Sequence, residues 1–369
     1  MRLLQCSGTG GFHLTKCFTS DEAIPPYAIL SHTWGADGDE VTFDDLINGT
    51  GTDKPGCDKI QFCAEQTQQD GLEYFWIDSC CINQEDKAEL SKAINSMFRW
   101  YRNADRCYVY LSDVSTAKRK VNGDACEWEA AFRKSRWFTR GWTLQELLAP
   151  RVVEFFSRQR KRLGDTCSLR QQIHEITAIP EAALQGELLS QFSVNDRLSW
   201  IEHRETKHEE DKAYSLLGIF GVYMPPIYGE GIGRAFGRLQ DEIKKLEKCT
   251  RDLHITDPRR DKARIKEIKG GLLKESYHWI FQNPDFLYWR DDLQSRLLWI
   301  KGDPGKGKTM MLCGIINELS KSMARRALLS YFFCQATDSR INSATSVLRG
   351  LLFMLISQQR WEQSVRSTD

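Results

Sequence analysis

Four short apolar runs, each followed by a helical pattern, constrain the first 160 residues more than anything else in the chain. They are Tyr27-Ala-Ile-Leu-Ser31, Tyr74-Phe-Trp-Ile-Asp78, Cys107-Tyr-Val-Tyr-Leu-Ser112 and Val152-Val-Glu-Phe-Phe156. Runs so rich in β-branched and aromatic residues suit strands buried on both faces. Between the second and third, Leu90, Ile94, Met97, Phe98 and Tyr101 recur at helical spacing, which predicts a helix from about residue 85 to 103 with one buried face. Strands alternating with helices imply a parallel sheet covered on its faces. Right-handed crossovers then bring the strand C-termini to one edge, where ligands collect in such sheets. That edge carries Ser31-His32, Asp78-Ser79 and Ser112-Asp113.

A second pattern lies far downstream. Gly302-Asp303-Pro304-Gly305-Lys306-Gly307-Lys308-Thr309 matches the phosphate loop G-x-x-x-x-G-K-[ST] without substitution. Leu297-Leu-Trp-Ile300 before it reads as a strand, and Met310 to Leu319 after it as a helix. In that order the glycines let backbone N–H groups close on phosphate oxygens at a helix N-terminus. Lys308 reaches the β/γ-phosphates, and the Thr309 hydroxyl holds Mg²⁺. ATP and GTP are not distinguished, because base recognition lies outside the loop. Only one further strand pattern, Leu328 to Cys334, and one helix, about Ser346 to Ser357, follow. No apolar strand ends in the acidic residues that order Mg²⁺ and water, so binding with little turnover is expected of this stretch.

Length allows two or three domains. With a net charge of +1 there is no basic field to attract nucleic acid. The twelve cysteines are scattered without zinc spacing, which fits reduced thiols in a cytoplasmic protein. No apolar run approaches the eighteen or so residues of a membrane span. His203 and His208 sit among Glu202, Glu205, Glu209 and Glu210, but their i,i+5 spacing suits a solvated helix face better than a metal site. From Leu163 to Glu247 the pattern is helical, broken at Pro225-Pro226 and Gly229 to Gly233. The charged stretch Arg251 to Lys269, closed by Gly270-Gly271, reads as a flexible connection. The expected layout is an α/β domain over 1–160, a helical extension packed on it over 161–250, a linker over 251–271, and the start of an α/β P-loop domain over 272–369.

Tyr27-Ala-Ile-Leu-Ser-His-Thr-Trp-Gly35, Phe75-Trp-Ile-Asp-Ser-Cys-Cys-Ile-Asn-Gln84 and Arg136-Trp-Phe-Thr-Arg-Gly-Trp-Thr-Leu-Gln-Glu146 resemble, in order, the three blocks of the fungal heterokaryon-incompatibility (HET) domain. The stretch from about Asp196 through the P-loop resembles the HET–NACHT–WD40 vegetative incompatibility proteins, which are NOD-like receptors. The resemblance implies an N-terminal portion of such a receptor, with most of the NACHT module and all WD repeats beyond it. It also implies control of programmed cell death, self-association through the NACHT and HET modules, and a non-self protein sensed by C-terminal repeats.

The same residues resemble TIR domains. Ala28 to Ser31 is similar to the first TIR strand, Phe75 to Asp78 to the second, and Gly141 to Leu147 to the W-C-x-x-E-L segment. That resemblance makes Glu146 the catalytic glutamate for cleaving the N-glycosidic bond of NAD⁺, with Ser31 and Asp78 beside it. A carboxylate suits an oxocarbenium-like ribosyl cation. A non-enzymatic adaptor that acts by clustering remains the alternative, and so do plainer roles. Glu146 on a helix can be solvated or paired with Arg136 or Arg140, and Asp78 can cap the helix that follows it. Trp34, Trp137 and Trp142 suit core or interface anchors, and His32 a structural role. The glycine-rich insert from Gly35 to Gly56 departs from the TIR pattern where a lid over the pocket is expected.

Overall fold

The computed structural model describes residues 1–6, 12–18, 23–116, 127–292, 297–322 and 328–359. Seven strands form one sheet: β1 (Leu4–Cys6), β2 (Phe12–Leu14), β3 (Tyr27–His32), β4 (Tyr74–Trp76), β5 (Arg106–Leu111), β6 (Val153–Ser157) and β7 (Arg162–Asp165), in the order β2-β1-β4-β3-β5-β6-β7. The four expected runs form its parallel centre, β4-β3-β5-β6. Antiparallel strands flank that centre, β1 and β2 on one side and β7 on the other. All six residues of β3 are buried, as a central strand covered on both faces requires.

Helices seal the two faces with aromatic contacts. On one face Trp76 of β4 packs edge-on against Trp100 and Tyr101 of the helix Lys87–Asn103, at 5.5 and 5.9 Å between centroids. Ile94, Met97, Phe98 and Tyr101 are buried there, and the Asp86 carboxylate caps the helix by accepting the N–H groups of Ala88 and Glu89. On the other face Phe62, from the helix Cys57–Gln69, meets Tyr108, Tyr110 and Phe156. Tyr108 and Tyr110 stand two apart on β5, so the period of two places them on the same face.

The helical stretch beyond residue 160 shares this core. Ile173, Trp200, Ile201, Tyr214, Leu217, Phe220, Ala235, Leu239 and Ile243 belong to the cluster built on the sheet. Gly218, in the short helix Leu217–Phe220, lies so close to the helix Lys87–Asn103 that a Cβ there would sit 2.1 Å from Cβ of Phe98. Gly218→Ala should therefore lower the denaturation midpoint of this unit, by about 1–3 kcal/mol of overpacking. An unchanged midpoint would mean that the two helices part freely.

Two compact units divide between Ile243 and Lys244, inside the helix Ile232–Leu253. The flexible linker expected over 251–271 is largely helix. Asp257 caps Pro258–Ile268, Pro258 stands at its first turn, and Ile265 is buried with Cys313, Ile316 and Phe333. The charge of that stretch masked a helix start and a single apolar anchor. In this second unit the helices Lys308–Ser322 and Ala344–Gln359 fall where expected. The strands expected at Leu297–Ile300 and Leu328–Cys334 do not form a ladder. Leu298, Ile300 and Leu329 pack against the cluster of Tyr277, Phe286, Met311 and Ile315, while Leu297 and Trp299 are 75% and 70% exposed. One side of this segment is covered, and backbone pairing of the kind that defines a strand is absent from it. No helix among the described residues is long and apolar enough to cross a membrane.

Candidate functional site

Ser31, near the C-terminal end of β3, and Glu146, on the helix Thr143–Leu148, meet in a direct hydrogen bond in which the serine hydroxyl donates to Oε2. Ser31 Oγ also accepts the indole N–H of Trp137 at 2.7 Å. The Tyr101 hydroxyl, which donates to the Leu30 carbonyl at 2.9 Å, is a second partner of the carboxyl group. Ser31, Tyr101, Trp137 and Glu146 are all buried. Glu146 is neither solvated nor paired with Arg136 or Arg140, because the turn from Trp137 to Thr143 directs its helix onto β3. Burial, with the negative charge of Asp78 next in weight, pushes its carboxyl up to about 8, against the hydrogen bonds from Ser31 and Tyr101 and the charge of Arg204. At neutral pH it is therefore mainly the protonated acid.

Asp78 opens the helix Asp78–Cys81 directly after β4. Its Oδ2 accepts the indole N–H of Trp34 at 2.9 Å, and its Oδ1 lies 3.8 Å from Nδ1 of His32. Trp34 is 40% exposed and so is not a core anchor, whereas Trp137 is fully buried and Trp142 half-buried. His32 Nε2 faces Oε2 of Glu40 at 3.4 Å. Glu40 comes from the glycine-rich insert, pairs with Lys59, and accepts the N–H of Gly35 at 2.8 Å. Burial disfavours its charge, yet His32 and Lys59 outweigh that and hold Glu40 down at about 2. The insert therefore supplies a wall of the site. Burial likewise raises the Asp78 carboxyl above its usual range, with His32 and the Trp34 indole opposing.

In the second unit the loop 302–307 leads into the helix Lys308–Ser322. Gly305 and Gly307 have φ of 81° and 80°, values that L side chains avoid and that glycine supplies in a phosphate-cradling turn. The Lys308 amine curls over the loop, donating to the carbonyls of Gly302 and of Asp303, the latter at 2.9 Å. Thr309 is exposed in the first helical turn. A cation and open backbone donors at a helix N-terminus fit a polyphosphate bound with Mg²⁺.

A family model described as heterokaryon incompatibility protein (HET) matches residues 27–130, and one described as nephrocystin 3, N-terminal, matches residues 275–368. The vegetative incompatibility protein HET-E-1 of Podospora anserina is 58% identical to this chain over 359 residues. The chain belongs to the heterokaryon-incompatibility (HET) proteins. The aligned residues make up 97% of the chain and 26% of that relative, so the chain spans about a quarter of the relative's length. No solved structure matches.

The HET match ends at residue 130, but the buried cluster extends beyond it to Trp137, Glu146 and Arg204. Of the residues singled out in the sequence, Ser31 and Glu146 are in contact, and Asp78 acts on both Glu146 and His32 through its charge. Sequence reasoning did not find Glu40, Tyr101 or Arg204. Tyr101 is legible as the last member of a buried helix face, but nothing in the local pattern of Glu40 or Arg204 announces a buried charge.

Proposed function

We propose that the first unit of this HET protein is the death effector of an incompatibility receptor and cleaves the N-glycosidic bond of NAD⁺. In the second unit, on this reading, the P-loop binds ATP or GTP with Mg²⁺ and governs self-association. The observation that carries the catalytic part is the Ser31–Glu146 hydrogen bond, which sets a carboxyl group at the C-terminal edge of a parallel sheet beside Asp78. In the reaction nicotinamide leaves the ribose carbon and water adds there. Glu146, as the anion, stabilises the ribosyl cation and takes the proton of the attacking water.

Burial and protonation of Glu146 suit a resting form, because a neutral acid cannot stabilise a cation. Assembly that lets water reach Glu146 lowers its pKa toward the usual carboxylate range and switches the chemistry on. The same burial favours the second reading, in which the carboxyl group is structural and the unit is an adaptor that kills by recruiting partners once clustered. Partner choice, in either case, is a property of a longer receptor that senses a non-self protein. Fusing the chain to an inducible oligomeriser separates the readings. NAD⁺ should fall on clustering and stay constant in dispersed protein, while killing at constant NAD⁺ would leave the adaptor reading in its place.

A further inference from the structure

A strap from the helical stretch clasps the turn that carries Glu146. The N–H of Glu205 donates to the Thr139 carbonyl at 2.6 Å, and the N–H of Gly141 donates to the Glu205 carbonyl at 2.9 Å, so Arg140 and Glu205 pair as a parallel bridge. The two backbones are close enough that a Cβ on Gly141 would lie 2.4 Å from Cγ2 of Thr206. Arg204 points inward from this strap and is 3% exposed. Its Nη1 donates at 2.9 Å to both the Arg140 carbonyl and Thr143 Oγ1. Thr143 Oγ1 in turn donates to the carbonyls of Trp137, at 2.6 Å, and Arg140, at 2.8 Å. Thr143 is the first residue of the helix bearing Glu146, and Trp137 supplies the indole that holds Ser31. A buried guanidinium at the junction of these two elements fixes both.

We propose that Arg204 is a positioning residue, holding the Trp137–Thr143 turn so that Glu146 meets Ser31 and adding a positive charge to a site walled by carboxyl groups. The NAD⁺-cleaving role of Glu146 rests on the reading above, but the positioning does not. A guanidinium is hard to discharge, so Arg204 stays charged at neutral pH although burial pushes it down to about 9. The other titratable groups acting on Glu146 are Asp78, Tyr101 and Cys107. Burial pushes all three up, and the charge that Asp78 takes on ionising is opposite in sign to that of Arg204.

The test is NMR on the full chain with labelled tryptophan and glutamate, the Trp137 indole and Glu146 carboxyl signals being assigned from Trp137→Phe and Glu146→Gln. In Arg204→Met the indole N–H resonance should move and the Glu146 titration midpoint should rise by about one pH unit, the effect of deleting one nearby charge. Arg204→Lys, which keeps the charge without the fork, should restore most of the midpoint while the indole resonance stays displaced. Should Arg204→Met not fold, Thr143→Val removes the hydroxyl that links the guanidinium to the Trp137 carbonyl, leaves the bond from Arg204 to the Arg140 carbonyl in place, and should still move the indole resonance. Signals unchanged in folded Arg204→Met, or in Thr143→Val where that variant is needed, would overturn the proposal. Neither signal depends on NAD⁺ turnover, so a chain that never cleaves NAD⁺ would fail the catalytic reading and leave the positioning of Glu146 standing.

Discussion

Replacing Lys308 by alanine should weaken binding of ATP or GTP with Mg²⁺ about a hundredfold. The lysine amine already lies over the loop, donating to the carbonyls of Gly302 and Asp303, so little ordering is needed when a phosphate oxygen takes it. A charge-assisted contact with a polyphosphate is worth roughly 3 kcal/mol, and each 1.4 kcal/mol is a factor of about ten in affinity. The backbone donors around Gly305 and Gly307 remain in the variant and supply only dipolar attraction. Lys306, an exposed loop residue whose backbone N–H donates to the Asp303 carbonyl, a bond that alanine keeps, serves as the control, and Lys306→Ala should change affinity by less than about threefold. Calorimetry on the full chain decides. Equal affinity in Lys308→Ala and the parent would remove the nucleotide site from this account.

The second large effect is a stability that falls as pH rises. With its folded value near 8 against an ordinary 4.5, Glu146 binds more protons in the folded than in the unfolded chain throughout that window. Its contribution is therefore fully present below the ordinary value and is lost as pH climbs through the folded one, at up to about 1.4 kcal/mol per pH unit. Across the window the loss is on the order of 5 kcal/mol, a large share of a domain's stability. Glu40 acts in the opposite sense at lower pH. Held at about 2, it contributes stability above 4.5 that is lost as pH falls toward 2. The first unit should thus be most stable near pH 4.5, where the two windows meet. Urea denaturation followed by tryptophan fluorescence should show its midpoint dropping from pH 5 to pH 9, and Glu146→Gln should flatten that arm. A parent midpoint that holds steady to pH 9 would mean that Glu146 is already ionised in the folded chain.

The parallel centre of the sheet was legible because each of its strands is an unbroken apolar run, and burial on both faces demands that composition. The helix Lys87–Asn103 was legible through its single buried stripe and its Asp86 cap. The flanking strands β1, β2 and β7 were not, since they are three or four residues long and only partly buried. In the second unit the phosphate loop was clear from its glycines, whereas apolar runs at Leu297 and Leu328 promised strands that the backbone there does not pair to make. The site was half visible. Ser31, Asp78 and Glu146 stand at strand ends and in a recognisable block, but the burial that makes Glu146 an acid near pH 8 depends on Tyr101, Trp137 and a strap some sixty residues on. Long-range packing of that kind leaves no local period to read.

The most direct test of the account compares NAD⁺ in cells or extracts holding the oligomerised parent chain, Glu146→Gln and Glu129→Gln. Glu129 lies exposed on the helix Glu127–Arg133, outside the buried cluster, and its loss should change nothing. Gln at 146 keeps the size of the side chain and an acceptor for the Ser31 hydroxyl, but it can neither ionise nor take a proton. The account predicts that the parent and Glu129→Gln deplete NAD⁺ and kill, while folded Glu146→Gln does neither. Killing by folded, oligomerised Glu146→Gln would contradict it.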